Sequence, residues 1–201
     1  PTPGAPEGGL VLRFTSWPPA NMTPQRLYFQ PDGSLLPTIP ANDGGASRFT
    51  QNPAFTATRT FNGGTNDIFW ALPSWDWAPP DASSTVTYET PPLAQDATYI
   101  GSGSVDMVVR SSMADAEFEV TVTEVRPDGS EMFVQSGWVR ASQRALLPES
   151  TATMPLLSNF ENDNTSLTPG SWTSIRALIF PFGHIFRAGS QVRLYIHSPG
   201  G

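Results

Sequence analysis

The chain is predicted to be all-β, with short strands stacked in two layers as a sandwich or jelly roll. Three observations lead there. Runs of period-two alternation recur along the 201 residues, and no stretch sustains a 3.6-residue period. Pro (21) and Gly (17) together approach a fifth of the chain, which suits short strands joined by many turns, while a hydrophobic fraction of 38% still supports a core. Turn signals separate the runs at close spacing. A domain of this size buries roughly 70% of the surface its unfolded chain exposes, so it needs no disulfide or metal to fold. There is no Cys, and thiols therefore say nothing about compartment.

Taken in order, residues 1–9 (PTPGAPEGG) read as a linker, and 10–201 as a single domain. Leu10, Leu12 and Phe14 alternate with Val11 and Arg13 as an expected first strand. Arg26 to Gln30 is a second, ending in Pro31-Asp32-Gly33-Ser34, where Pro presets one turn corner and Gly accepts positive φ. The same PDGS recurs at Pro127 to Ser130 between unrelated flanks, so it reads as one turn chemistry used twice. Residues 37–84 form a long irregular stretch rich in Pro, Gly, Asn and Trp, a length that is often functional.

Strands resume at Thr85 to Thr90. Ser104 to Arg110 follows, with Val105, Met107 and Val109 on one face. Glu117 to Val125 places Phe118, Val120 and Val122 inward and Glu117, Glu119, Thr121 and Thr123 outward. The parity slips at Glu124 and Val125, as at a bulge. Glu131 to Val134 and Gly137 to Ala141 come next. Residues 142–167 are mixed, with a short helical turn expected near Ala145 and a loop through Asn159 to Asn164.

The tail, TPGSWTSIRALIFPFGHIFRAGSQVRLYIHS from Thr168, supplies two more strands flanking a turn region at Pro181, Gly183 and Gly189. In the first, Ile175, Ala177 and Ile179 share one face and Arg176, Leu178 and Phe180 the other. Both faces are mostly apolar, as for a strand covered on two sides. In the second, Val192, Leu194 and Ile196 alternate with Gln191, Arg193, Tyr195 and His197, the pattern of a strand with one face in water.

Charge is sparse and acidic: 18 Asp and Glu against 11 basic residues, all Arg, for a net −7. No basic stripe exists to displace the counterions of a nucleic acid, and an anionic membrane surface is disfavoured for the same reason. No apolar run approaches the ~20 residues of a spanning helix. The start carries no signal-peptide pattern, and it opens on Pro1 without a Met, so a fragment of a longer polypeptide is expected.

Several stretches resemble the C-terminal β-domain of the X-Pro dipeptidyl-peptidase and cocaine-esterase group of serine hydrolases. They are QRLYFQPDGSL (Gln25 to Leu35), YETPPL (Tyr88 to Leu93) and GSGSVDMVVRSSMADAEFEVTVTEVRPDGS (Gly101 to Ser130). SGWVRASQR (Ser136 to Arg144), TPG (Thr168 to Gly170) and HIFRAGSQVRLYI (His184 to Ile196) complete the set, in order and with plausible spacing. The resemblance implies a jelly roll of galactose-binding type. It would pack on an upstream α/β-hydrolase domain of the same polypeptide that holds the Ser-Asp-His machinery. The parent would cleave an ester, amide or X-Pro peptide through a covalent Ser ester. Two departures stand out: Ser190 follows Gly189 where the family usually has His, and the chain stops at Gly201 where the family's tail continues.

The chain's own chemistry is thin. No G-x-S-x-G elbow occurs, and Gly101-Ser102-Gly103-Ser104 reads as a turn. Its two His are expected to be structural: His184 a turn residue, His197 a surface or interface residue on the outward parity of its strand. Glu161, Asp163, Asn159, Asn162 and Asn164 could offer oxygen ligands to Ca²⁺, but their spacing fits a solvated polar loop better. No catalytic residue, metal or cofactor is assigned.

The strongest functional candidate is the aromatic loop, where Trp70, Trp75 and Trp77 fall close together beside Phe61 and Phe69. So many large apolar faces must be covered by something. Three readings stand: a plug over the domain's own core, a surface docked on the hydrolase domain or rimming its pocket, and a sugar-stacking platform. The first two fit a non-catalytic domain of a serine hydrolase, and the third a stand-alone carbohydrate-binding module. Association of copies through a sandwich face is left open.

Overall fold

The computed structural model describes residues 9–16, 19, 22–41, 45–51 and 77–199. Among them run eight strands: β1 (Tyr28–Phe29), β2 (Leu35–Leu36), β3 (Thr85–Glu89), β4 (Ala97–Val109), β5 (Glu117–Val125), β6 (Glu131–Arg140), β7 (Thr173–Phe186) and β8 (Gln191–His197). Helical structure among the described residues is limited to short 3₁₀ turns at Ala82–Ser84, Ala141–Gln143 and Glu161–Asp163. The fold is all-β, as the alternation predicts. The β1–β2 hairpin, joined to Glu89 of β3 by a bridge at Ser34, accompanies a four-stranded sheet in the order β3-β8-β5-β6 and a long two-stranded ribbon of β4 and β7, and the strands within each sheet pair antiparallel.

The two PDGS turns are built alike. In each, the Asp carboxylate accepts from the amide and hydroxyl of the Ser two residues on, at 2.9 and 2.7 Å in both Asp32–Ser34 and Asp128–Ser130. Gly33 and Gly129 take the positive φ (86° and 83°) that closes the turn. This is an Asx turn used twice, with different strands on its flanks.

The core lies where the inner faces of the two larger sheets meet. Val120, Val122 and Phe118 of β5, Leu194 and Ile196 of β8, and Val139 of β6 face Val105 and Met107 of β4 and Ile175, Ala177 and Ile179 of β7. Phe186 is sealed among them, and burying a ring of that size contributes about 2–3 kcal/mol. The inward residues expected on β4, β5 and β7 are buried, except Val109, which is half-buried.

Several local expectations fail, each for a stated reason. Leu10 to Phe14 form no strand, and their apolar side chains are exposed. Gly101 to Ser104 is not a turn: it lies inside β4, where the register against β7 shifts between Gly101 and Gly103. Pro181 and Gly183 likewise lie inside β7, Pro181 opposite that irregularity, where a missing N–H costs no ladder bond. The turn into β8 is made by Arg187 to Ser190, with Gly189 at φ +81°. Residues 131–140 are one strand, and the bulge on the β5–β6 pair falls between Val122 and Thr123 rather than at Glu124.

Strand exposure also reverses an expectation. β8 lies between β3 and β5, and its outward residues Tyr195 and His197 are buried as well as Leu194 and Ile196. β7 belongs to a two-stranded ribbon and leaves Phe180 exposed. β6 and β7 nevertheless pack closely against each other. Gly137 lies so close to the Leu178 carbonyl that a Cβ there would stand 1.6 Å from its oxygen, and nearby the Gln135 amide donates to the Pro181 carbonyl at 3.3 Å.

Candidate functional site

The outer face of the four-stranded sheet carries the site. Pairing sets its rows: Thr87, Tyr195, Thr121 and Ser136 lie side by side, and beside them Glu89, Arg193, Thr123 and Phe133. An outward face of this kind is expected to be wet. Instead Thr121 (1% exposed) and Thr123 (0%) are sealed, and Ser136 and His197 are buried. Among the described residues Trp77 lies over this face, its ring 5.6 Å from Phe133 and 6.1 Å from Tyr195. Trp77 thus joins the aromatic loop to the sheet. Phe61, Phe69, Trp70 and Trp75 lie outside the described residues.

Beneath Trp77 the polar groups satisfy one another. Arg193 donates from Nε to Glu89 at 2.5 Å and from Nη1 to Glu131 at 3.0 Å and to the Tyr195 hydroxyl at 3.2 Å. Glu131 Oε1 accepts from Tyr195 at 2.7 Å and from Thr123 at 2.6 Å, and Gln191 completes the shell of Glu89. Burial opposes the Arg193 charge, but Tyr195, Glu89 and Glu131 outweigh it and raise the guanidinium above its ordinary pKa. Burial first, and Glu131 second, raise the Tyr195 phenol. A fixed cation between two carboxylates has no free valence for an acid–base role. The Trp77 Nε1 is buried and finds no hydrogen-bond acceptor among the described residues.

A second polar cluster closes one end of the core. Glu124 (1% exposed) accepts from the Arg187 amide at 2.9 Å and from His184 Nε2 at 3.0 Å. Arg126 Nε stands 3.7 Å away. Burial pushes the Glu124 carboxyl up, but the Arg187 amide and the groups around it outweigh that, and its pKa is lowered. Burial also lowers His184, against the pull of Glu124, so at neutral pH the neutral ring donates Nε2–H to the carboxylate. Ser190, fully buried in the turn beside them, lies within electrostatic reach of Glu124 but forms no well-shaped hydrogen bond.

Nothing here is arranged for nucleophilic catalysis. His184 is bonded to a carboxylate. His197 donates from Nδ1 to the Ser198 carbonyl (2.8 Å) and accepts at Nε2 from Thr121 (3.2 Å). Among the described residues, neither imidazole holds a serine hydroxyl, which a triad requires. His197 is buried in the sheet rather than at a surface. Glu161, Asp163 and their Asn neighbours lie exposed around a 3₁₀ turn.

At the corner where β6 meets β7 a third feature faces solvent. Trp138 and Phe180 are 44% and 42% exposed, with ring centroids 5.5 Å apart.

Comparison with known proteins decides the assignment. The sequence model of the X-Pro dipeptidyl-peptidase C-terminal non-catalytic domain matches residues 7–199. The chain belongs to that family. A protein of Mycobacterium bovis named as a serine esterase is 26% identical over 185 residues, covering 90% of this chain and 29% of the relative. A Mycobacterium tuberculosis protein with the same description matches equally. The chain therefore spans under a third of the length of these curated relatives.

Among solved structures, an aminopeptidase from a marine-sediment Thaumarchaeota archaeon superposes with a TM-score of 0.68 at 18% identity, covering 93% of this chain and 31% of that one. An α-amino acid ester hydrolase gives 0.63 at 18% identity, covering 87% and 28%. A CocE/NonD family hydrolase from Staphylococcus aureus gives 0.54 at 18% identity, covering 58% and 23%. At such identities the likeness is one of fold. The X-Pro dipeptidyl-peptidase C-terminal domain is itself described as non-catalytic.

Sequence reasoning missed the Glu89–Arg193–Glu131–Tyr195 network. Its signal was an Arg and a Tyr alternating with core residues on β8. It also missed Glu124, whose slip in parity marked a carboxylate on the inward side of β5.

Proposed function

We propose that this chain is the β-domain of a serine hydrolase of X-Pro dipeptidyl-peptidase or acyl-ester hydrolase type, packed on an α/β-hydrolase domain of the same polypeptide. One observation carries the reading: a family of C-terminal non-catalytic domains matches residues 7–199, while this chain spans only 29% of the esterase-named relatives. The parent would transfer an acyl group to water through a covalent Ser ester, on an ester, amide or X-Pro peptide. The present chain would contribute packing area and part of a pocket rim, with residues 1–9 as the linker and 10–201 as one domain. Its two packed layers, with sequence-distant strands adjacent in the order β3-β8-β5-β6, support a jelly roll of galactose-binding type.

The rim is assigned to Phe61, Phe69, Trp70, Trp75 and Trp77. Support comes from Trp77, which seats the end of the aromatic loop on the outer face of the larger sheet. Turnover of a p-nitrophenyl acyl ester tests the whole reading. The full polypeptide should be active and the 201-residue chain inactive, and turnover by the 201-residue chain alone would overturn it. In the full enzyme, Trp75→Ala and Trp77→Ala should shift kcat/KM between short and bulky acyl esters by about tenfold, the scale of one apolar pocket contact. Unchanged specificity together with unchanged interdomain stability refutes the rim.

A further inference from the structure

We infer that the exposed aromatic corner of Trp138 and Phe180 is a seat for the hydrolase domain of the same polypeptide. This rests on the function proposed above and names a contact surface beyond the aromatic loop. Three observations converge on it.

The first is rigidity. Trp138 follows Gly137, whose backbone is pressed against the Leu178 carbonyl, and Phe180 lies two residues beyond Leu178. The two rings, on strands of different sheets, are thus held 5.5 Å apart by a backbone contact that cannot slide. Anchors of this kind lose little freedom when they are covered.

The second is patterning. β7 carries apolar residues on both faces over Ile175 to Phe180, as does a strand covered on two sides. The inner set is buried, whereas on the outer set Leu178 is half-buried and Phe180 is exposed. The hairpin at residues 145–158 is tied to this outer face, but only further along. Arg176 Nη2 donates to the Thr151 and Ala152 carbonyls at 3.0 and 2.8 Å, and its Nε binds Asp106 at 2.8 Å.

The third is the occupant. The matched relatives are more than three times as long as the stretch they share with this chain, so a covalently joined neighbour is at hand at high effective concentration. The charges beside the corner, Glu119 opposite Trp138 and Arg140 two residues on with its partners Asp115 and Glu117, suit a mixed interdomain contact better than a large self-associating apolar face.

The test uses the full polypeptide with Trp138 replaced by the photo-crosslinker p-benzoylphenylalanine, and with Met113, an exposed residue remote from the corner in sequence, as a control position. Irradiation should give an intramolecular crosslink from position 138 to a peptide outside residues 1–201, at least tenfold above that from position 113. A crosslink between two copies, a crosslink confined to residues 1–201, or none above the control overturns the inference. Trp138→Ala with Phe180→Ala should also speed protease cutting of the linker about tenfold without changing the mass of the particle. Esterase turnover measured on the same preparation separates the two claims. An active enzyme lacking the crosslink refutes the corner alone, whereas an inactive polypeptide without a hydrolase domain removes the proposed function as well.

Discussion

Gly137→Ala isolates the contact that locks the two larger sheets together. A Cβ added at Gly137 would lie 1.6 Å from the Leu178 oxygen, 2.7 Å from its carbonyl carbon and 3.3 Å from the Ile179 Cα. All three are backbone atoms, so no side chain can swing away. Relief requires β6 and β7 to separate by well over an ångström, which would open the core between Val139 and Ile179. Overpacking costs about 1–3 kcal/mol where side chains can adjust, so a backbone clash belongs at or beyond the upper end, about 3 kcal/mol. For a chain of this length that is a fall in Tm of roughly 6–12 °C. Gly103→Ala is the matched control. Its Cβ meets only the Ile179 side chain, at 3.2 Å from Cδ1, and the Cδ1 end of that chain can rotate, so the loss should be about 1 kcal/mol or less. Thermal and urea unfolding of both variants, followed by circular dichroism, provides the comparison. A Gly137→Ala chain melting within about 2 °C of the parent, or no worse than Gly103→Ala, would refute the reasoning.

Three further outcomes follow from the polar clusters. Glu124 is held below its ordinary 4.5 and His184 below its ordinary 6.5, so each adds stability that is complete above its unfolded pKa and lost as pH falls through its folded one. Tm should therefore drop from about pH 7 to about pH 4, and Glu124→Gln should flatten the lower part of that fall; a Tm that rises on acidification contradicts the assignment. Arg193→Ala should cost about 3 kcal/mol, because it strands Glu89 and Glu131 without their cation, whereas Tyr195→Phe should cost about 1 kcal/mol, with equal losses in urea titrations counting against the network. Arg176→Ala should leave Tm within about 2 °C, since partly exposed pairs are worth under about 1 kcal/mol, yet it should release the hairpin at 145–158 to protease; unchanged cleavage there would show that Arg176 is not its tether.

Much of the fold could be read because period two is a property of a strand alone. Most of the inward sets of β4, β5 and β7 were legible for that reason, and the two PDGS turns were legible from Pro and Gly, though not the Asp carboxylate that ties each one. Sheet order is not a property of one strand. Tyr195 and His197 read as wet because they alternate with Leu194 and Ile196, yet their strand lies between β3 and β5 with its outer face covered. Pro181 and Gly183 read as turn formers because that is their commonest use, but Pro181 falls opposite the β4 irregularity, where it is tolerated in mid-strand, and Gly183 pairs in register with Ile100. Leu10 to Phe14 alternate like a strand and still form none, because alternation supplies a face and not a partner.

Of the candidate site, Trp77 was legible in the sequence and the ions were hidden. A cluster of Trp and Phe announces itself by density, whereas Glu89, Arg193 and Glu131 come from three separate segments and acquire meaning only when β3, β8 and β6 share a sheet. Once assembled, they explain how so apolar a ring as Trp77 can sit on a face lined with Thr. The carboxylates and the guanidinium neutralise one another, and the Tyr195 and Thr123 hydroxyls point their hydrogens at Glu131, so the surface offered to the indole is largely carbon. That arrangement fits a scaffold better than a reaction centre. Glu89, Arg193, Glu131 and Glu124 are all committed to partners, the two imidazoles are tied to a carboxylate and a carbonyl, and the large side chains left facing water include Trp138 and Phe180. A domain built this way spends its polar groups on holding its own sheets in register. Under the function proposed above, its exposed aromatic area is left for a neighbour, with bond-breaking assigned to another part of the same polypeptide.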